Sequence, residues 1–397
     1  MHRALTLAAL AAVCLSAACS KDKAIDQPAK LTPFNATLNV RHLWSASVDD
    51  KKAVALRLGL GVASDGQRIY AAGHKGEIAA FDARTGRLQW RGHLKAPLAG
   101  GTAVAGELLT VGASDGQFFA LDSGSGQVRW HVRLNGEILA PAAISARLIV
   151  VRTVDGRLHA LSPADGHELW LQEQQVPRLS LRGTATPLIA GDLVLCGFDN
   201  GKVLAVNAGD GSMQWEATVT PPHGRTELER LADIDSAVIA EGSNVYAVGF
   251  QGRIAMLALD TGQVWWSHEA SSYRGMTLAG DTLYVSTADG DVVALTARTG
   301  TEVWRQSALA HRRLSTPASM ADAIVVGDLQ GYVHWLDKAS GALAARVSTG
   351  RTRISAAPVV LGDVVVVSND RGQINAYRVS PRGATAAKGT PGAPTPQ

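Results

Sequence analysis

The sequence predicts an all-β fold, an eight-bladed β-propeller with four-stranded blades, closed into a ring by pairing of N- and C-terminal strands. Three observations predict this fold. Seven pairs of glycines are each separated by ten positions, and in six of the seven copies a tryptophan stands four residues after the second glycine. Incomplete copies of the same repeat stand near both chain ends. The chain also has 41 glycines in 397 residues without a collagen-like period, which indicates many turns between short strands.

Each copy of the repeat has the pattern of one blade. An apolar strand precedes the first glycine, a tight turn such as Asp115-Gly116 contains it, a second strand follows, and the last strand carries the tryptophan. Four strands in about 40 residues make one propeller blade, and blades must stack to bury their faces. The glycine pairs are 76/86, 116/126, 156/166, 201/211, 252/262, 290/300 and 331/341, and the structural tryptophans are Trp44, Trp90, Trp130, Trp170, Trp215, Trp266 and Trp304.

The two chain ends are predicted to share the eighth blade. The last copy contains Ile374-Asn-Ala-Tyr377 but stops before a tryptophan strand, and Ala345 replaces the tryptophan of the seventh copy. Trp44, which precedes the first complete copy, is predicted to supply the missing strand. Such closure removes sheet edges that promote aggregation. The propeller is therefore predicted over residues 36–380, followed by a disordered Pro/Ala/Gly-rich tail over 381–397.

The N-terminus is typical of an exported lipoprotein. Residues 1–18 combine a positive start, an apolar stretch too short to span a bilayer, and small residues before Cys19. We expect Cys19 to be lipidated and residues 19–35 to form a flexible tether; the alternative is an ordinary secretory signal in which Cys19 is incidental. The residue after Cys19 is Ser20 and not aspartate. By resemblance to bacterial lipoproteins, this favours sorting to the outer membrane over retention at the inner membrane. Cys196 then remains as the one cysteine of the mature chain, predicted to be a buried apolar residue in a strand.

The repeat is interrupted in two neighbouring copies. The spacing between tryptophans rises to 45 between Trp170 and Trp215 and to 51 between Trp215 and Trp266. The first insertion contains Gln174 to Gly183 and the second His223 to Asp235. Insertions in repeat folds map to loops, often on the binding face, although variable loop length without functional consequence is the simpler explanation.

The insertions resemble the two signature loops of the BamB family, the lipoprotein subunits of the bacterial outer-membrane β-barrel assembly machinery. The resemblance covers the signal, the tether and all eight blades, and its most specific segments are Leu179-Ser-Leu-Arg-Gly183 and Arg230-Leu-Ala-Asp-Ile-Asp235. It implies an outer-membrane location on the periplasmic face, docking on the POTRA domains of BamA, and assistance to unfolded β-barrel precursors. The residues that the resemblance assigns to BamA binding are Leu179, Leu181, Arg182, Asp233 and Asp235, which we expect to cluster on one exposed face.

The sequence favours a non-catalytic scaffold without a cofactor or metal. A quinone-dependent dehydrogenase is one alternative, since such enzymes resemble this ring, but the chain has none of their adjacent cysteines. No His-x-His pair, nucleophile elbow or phosphate-binding loop occurs, so no catalytic or metal-ligating residue is assigned. A net charge of +3 gives no reason to expect nucleic acid. A periplasmic binding module with another partner remains the second alternative, because fold alone does not define function.

Overall fold

The computed structural model describes residues 27–48, 60–177, 179, 185–226 and 228–382, and within these ranges the regular structure consists of β-strands. The predicted signal peptide, Cys19, and the tail from residue 383 onward lie outside the described residues. The strands of the first half are β1 (Leu38–Ser47), β2 (Ala63–Ser64), β3 (Arg68–Ala72), β4 (Glu77–Asp82), β5 (Leu88–His93), β6 (Leu98–Ala105), β7 (Leu108–Ala113), β8 (Gln117–Asp122), β9 (Val128–Arg133), β10 (Ala143–Ile144), β11 (Ile149–Arg152), β12 (Arg157–Leu161), β13 (Glu168–Glu173), β14 (Leu188–Ala190), β15 (Leu193–Gly197) and β16 (Lys202–Asn207). Those of the second half are β17 (Met213–Thr218), β18 (Ile239–Glu241), β19 (Asn244–Val248), β20 (Arg253–Ala258), β21 (Val264–Glu269), β22 (Met276–Ala279), β23 (Thr282–Ser286), β24 (Val292–Thr296), β25 (Glu302–Gln306), β26 (Ala318–Met320), β27 (Ala323–Gly327), β28 (Tyr332–Asp337), β29 (Leu343–Ser348), β30 (Val359–Leu361), β31 (Val364–Ser368) and β32 (Gln373–Pro381).

The strands form eight antiparallel four-stranded sheets, which confirms the eight-bladed propeller. Blades 1 to 7 each use four consecutive strands, beginning with β2–β5 and ending with β26–β29. Blade 8 has the order β1-β32-β31-β30, so strands from both chain ends pair as predicted, and Trp44 lies opposite Ala376. In such a blade, the loop between its second and third strands and the connection to the next blade lie at the same end. We call the ring face formed by these loops the loop face.

Each repeat tryptophan locks its blade to the next one. The indole Nε1 of Trp215 donates to the carbonyl oxygen of Leu259 in blade 5 over 2.8 Å, and the other six make equivalent bonds. The indole also covers the second glycine of the next blade: a Cβ on Gly262, whose φ is +69°, would lie 2.7 Å from Cδ2 of Trp215. The seven pairs are Trp44/Gly86, Trp90/Gly126, Trp130/Gly166, Trp170/Gly211, Trp215/Gly262, Trp266/Gly300 and Trp304/Gly341.

The interface between blades 7 and 8 uses a different tryptophan. Trp335, on the third strand of blade 7, is fully buried opposite Ala345, whereas in blade 6 Trp304 on the fourth strand lies opposite Ala294. The large and small residues have therefore exchanged strands. Trp335 contacts Tyr377 of blade 8 edge to face, with ring centroids 6.4 Å apart. Blade 8 has no turn after its third strand that could supply a receiving glycine, because β32 continues to Pro381 and pairs with β1.

The segment before β1 lies against the ring, and we call residues 29–37 the strap. The backbone amide of Ala29 donates to the carbonyl of Ala310, and that of Thr37 donates to Ala344. Leu31 packs on the buried cluster between blades 6 and 7. The sequence-based expectation of a flexible tether up to residue 35 is therefore wrong for the strap, because its backbone groups bond to the ring and its apolar side chain is packed.

Candidate partner-binding face

Both insertions lie on the loop face and connect neighbouring blades. The first follows β13 and joins blade 3 to blade 4; the second follows β17 and joins blade 4 to blade 5. Blade 4 is thus flanked by both insertions.

The first insertion is anchored at its base and presents an apolar residue to solvent. Gln174 donates its backbone amide to Gly156, and Asn200 Nδ2 donates to the carbonyl of Gln175, which ties the insertion to blade 4. Leu179 is 41% exposed. Leu181 and Arg182, assigned to partner binding by the resemblance, lie outside the described residues.

The second insertion carries a capped turn with a leucine at its tip. The carboxylate of Glu229 accepts from the backbone amides of Arg225 and Thr226, while the Thr226 hydroxyl accepts from the amide of Glu229. These reciprocal bonds form a capping box, and the backbone bonds hold the pKa of Glu229 below its ordinary value. Leu228, between the capping residues, is 66% exposed. Sequence reasoning missed Leu228, although the Thr-x-x-Glu spacing within the insertion was a readable sign of an ordered turn.

The end of the second insertion enters the ring and buries its aspartates. The amide of Ile234 donates to the carbonyl of Phe198, and Phe250 donates to the carbonyl of Asp233, so this stretch lies between the loops of blades 4 and 5. Ile234 is fully buried against Gly197. Asp233 is 0% exposed and Asp235 is only partly exposed. The expectation that all five assigned residues share one exposed face is therefore wrong for Asp233, because Ile234 draws the neighbouring residues inward.

These aspartates belong to a buried group of charges. Arg152 Nη2 bonds to Asp199 Oδ1 at 2.6 Å, Arg152 Nη1 donates to the Gly197 carbonyl, and the guanidinium lies over the Phe198 ring. Burial, followed by the charges of Asp199 and Asp233, raises the pKa of Asp235 well above its ordinary value, while Arg152 and Arg274 oppose this shift.

The position of Asp235 has an energetic consequence. Among the described residues, its Oδ1 is buried without a hydrogen-bond partner. A buried ionised carboxylate costs free energy unless it is paired and hydrogen-bonded. The loop face between blades 4 and 6 therefore holds an acidic group that a cationic side chain could stabilise.

Cys196 lies near Arg152 of this group of charges. It is buried in β15, as predicted from the sequence. Burial raises the pKa of its thiol to about 11, and the nearby Arg152 only partly opposes this effect. A thiol with such a pKa is almost entirely protonated at neutral pH and is a poor nucleophile. The described residues contain no cluster of three or more His, Cys, Asp or Glu side chains arranged to hold a metal ion. Within the part of the chain that the structure describes, there is no helix long and apolar enough to cross a membrane.

Comparisons with known proteins agree with this architecture. The family model described as outer membrane protein assembly factor BamB matches residues 36–99, 74–306 and 288–382. The chain is 46% identical to the outer membrane protein assembly factor BamB of Pseudomonas aeruginosa, covering 95% of this chain and 98% of the relative. It is 40% identical to the protein of the same description from Kangiella koreensis, over 92% and 94% of the two chains.

Solved structures are similar in fold. BamB from Moraxella catarrhalis superimposes with a TM-score of 0.78 at 27% identity, over 86% of this chain and 100% of that one. A quinohemoprotein alcohol dehydrogenase from Comamonas testosteroni gives 0.69 at 14% identity, covering 88% and 78%, which shows the shared fold alone.

The ring, its tryptophan locks and its two insertions define an eight-bladed propeller of the quinoprotein-like repeat class with an enlarged loop face over blades 3 to 5. Within that class, the chain belongs to the family of the outer membrane protein assembly factor BamB.

Proposed function

We propose that this chain is a non-catalytic scaffold of the outer-membrane protein assembly machinery that docks on the POTRA domains of BamA through its loop face. The observation that carries the proposal is the pair of neighbouring insertions, which expose Leu179 and Leu228 and of which the second ends in a buried acidic group at Asp235. Exposed apolar side chains that fill pockets on a partner dominate interface energies. By docking there, the scaffold assists folding and insertion of β-barrel precursors.

Both insertions are ordered at their bases, which favours binding. The bonds of Gln175 to Asn200 and of Glu229 to Thr226 fix the loops before a partner arrives. A surface ordered in advance loses less conformational entropy on association. The acidic group adds electrostatic selectivity, because a basic residue of the partner would relieve the cost of charging Asp235.

The test is the affinity of the purified chain for the periplasmic part of BamA. We expect Leu179→Ala/Leu228→Ala to weaken binding by at least tenfold, which corresponds to about 1.4 kcal/mol. The matched control is Leu88→Ala, because Leu88 is 46% exposed on the outer strand of blade 1, away from both insertions. Leu181→Ala/Arg182→Ala tests the remaining residues of the first loop. Unchanged affinity in all folded loop variants would reject the docking site.

Lipid attachment at Cys19 forms the second part of the proposal and places the chain at the periplasmic face of the outer membrane. Acyl chains contribute about 0.8 kcal/mol per buried methylene, so a multiply acylated cysteine anchors firmly. Metabolic labelling with an alkyne fatty acid should mark the wild-type chain and not Cys19→Ala. Equal labelling of both would overturn the assignment, as would a wild-type chain that takes up no label.

A further inference from the structure

The strap fills a cleft between two blades in the manner of a bound peptide. Arg346, on the outer strand of blade 7, donates from Nη1 to the carbonyl of Thr32 over 3.2 Å, and its guanidinium lies 4.9 Å from the ring centre of Phe34. Arg312 donates to the carbonyl of Ala29 over 2.8 Å. Leu31 packs on the apolar cluster between blades 6 and 7. The cleft therefore holds the strap through the side chains of Leu31 and Phe34 and through the strap's main-chain carbonyls.

The neighbouring cleft, between blades 5 and 6, contains a cavity of about 660 Å³. Its blade 6 wall repeats the wall that blade 7 presents to the strap, because the residues stand at the same distances from the glycines of their repeats. Val293 pairs across the strands with Arg305 just as His334 pairs with Arg346. The corresponding residues are Val285 and Val326, Val293 and His334, Leu295 and Leu336, and Arg305 and Arg346.

Two replacements by smaller side chains, Ser271 for Arg312 and Val293 for His334, accompany the difference in filling. Ser271 occupies the position of Arg312, since the carbonyl of each accepts the amide of the adjacent loop, from Ala288 at 2.8 Å and from Leu329 at 3.0 Å. The guanidinium of Arg312 is buried and bonded to Asp328. Ser271 is short, and its hydroxyl accepts from the amide of Gln251. The volume that the arginine fills in one cleft is therefore open in the other.

Arg305 has donors available for an incoming chain. Arginine stands five residues after the second glycine of the repeat at 91, 305 and 346. Arg91 and Arg346 each donate to a main-chain carbonyl of the N-terminal segment, that of Ser47 and that of Thr32. Arg305 makes three hydrogen bonds, to Asp291 and Glu302, and a guanidinium has five N–H groups.

We propose that the cleft between blades 5 and 6 binds an extended segment of another polypeptide as the strap binds in its own cleft. The segment carries an aliphatic residue, which packs on Val285, Val293 and Leu295, and an aromatic residue three positions later, which stacks on Arg305. Arg305 donates to the main-chain carbonyl between them. The spacing is that of Leu31 and Phe34, and recognition through carbonyls and two apolar side chains accepts many sequences. His223, at the start of the second insertion, borders the cavity, but none of these proposed contacts uses Leu179 or Leu228, so the site stands without the docking proposal.

The probe is a fluorescent peptide with the sequence of residues 27–37, titrated with the mature chain and followed by fluorescence polarisation. We expect saturable binding that weakens at least tenfold when the leucine and the phenylalanine of the peptide are both replaced by serine. Ser271→Trp, which fills the cavity, should weaken binding at least tenfold. Arg305→Glu should do the same without touching the core, so the site remains testable if the tryptophan variant fails to fold.

A matched control separates this site from general charge effects. Arg129 lies on the outer strand of blade 2, as Arg305 does in blade 6. The exposed fractions of the two side chains are 38% and 39%, and each forms ion pairs with two acidic residues. Arg129→Glu should therefore bind the peptide as the wild type does. Equal loss in both variants, or no loss in Arg305→Glu, would overturn the proposal.

The strap's own cleft is the competing location. If the peptide displaces the strap, Arg346→Ala will weaken its binding and Arg305→Glu will not, which rejects the site between blades 5 and 6. Exchange of straps between two copies would appear as a dimer by light scattering and would also reject it. The Leu179→Ala/Leu228→Ala variant should keep full peptide affinity, so failure of either proposal is seen independently.

Discussion

Replacing Gly262 by alanine should destabilise the ring far more than replacing Gly242, although both glycines lie in turns of blade 5. Both have positive φ, +69° and +57°, so both alanine variants carry left-handed backbone strain. A Cβ on Gly242 meets nothing within 4 Å, whereas on Gly262 it would overlap the Trp215 indole. Gly242→Ala is therefore the matched control that isolates the contact with the tryptophan.

The expected magnitudes follow from these two contributions. Left-handed strain costs about 1–2 kcal/mol in either variant. Overpacking against a closed interface adds about 1–3 kcal/mol for Gly262→Ala alone. The indole could relieve the overlap only by moving and weakening its 2.8 Å bond to the Leu259 carbonyl. Gly262→Ala should thus lose about 2–5 kcal/mol and Gly242→Ala about 1–2 kcal/mol.

Urea unfolding followed by tryptophan fluorescence measures the difference. The midpoint should fall in both variants with an unchanged dependence on urea, which identifies a change in stability and not in the surface exposed on unfolding. Equal shifts of the two midpoints would refute the reasoning, because the contact between blades would then contribute nothing.

Three further predictions test other parts of the structure. Ala345→Trp restores the repeat but should lower the unfolding free energy by about 1–3 kcal/mol, since Trp335 already fills that interface; a stabilised variant would contradict this. In a soluble chain beginning at Ser20, Cys196 should resist a thiol reagent at pH 8 until urea is added, because its pKa is about 11, and rapid labelling of the folded chain would count against its burial. Asp235 has a raised pKa when folded, so its contribution to stability is present below pH 3.8 and lost as the pH rises; Asp235→Asn should gain stability relative to the wild type between pH 4 and 7, and a constant difference would argue against it.

The ring could be predicted from the sequence because its determinants are local and repeated. A tryptophan four residues after a glycine marks the same contact in six interfaces, and the count of copies indicated that Trp44, which has no such glycine, makes the seventh contact and completes blade 8. The exchange between Trp335 and Ala345 could not be predicted, although the missing tryptophan was visible. Which residue faces Ala345 depends on pairing across a β-bulge next to Trp335, and that register is a property of the folded sheet.

The candidate face was predicted in location but not in its exposure. The two-residue spacing of Asp233 and Asp235 indicated a shared side, yet that side depends on Ile234, which packs against Gly197 in another strand. Leu228 was not predicted because it lies in the capped turn before Arg230, outside the segments that carry the family resemblance. The insertions lack the repeated pattern from which the strands of the blades can be predicted. The spacing of the repeat therefore shows where the insertions lie in the chain, but it does not predict which way their side chains point.

Closing the ring with β1 also determines where the anchor segment leaves the protein. Because β1 is the outer strand of blade 8, the residues before it run back across blade 7, where the strap is held at Ala29 by Ala310 and Arg312. At no more than about 3.6 Å per residue, a tether from Cys19 to residue 35 would extend at most about 58 Å, whereas one from Cys19 to Ala29 extends at most about 36 Å. With the proposed lipid at Cys19, the strap therefore holds the loop connecting blades 6 and 7 close to the membrane. The docking insertions lie on the same loop face near blade 4, so the strap restricts the orientations in which a partner at the membrane meets them.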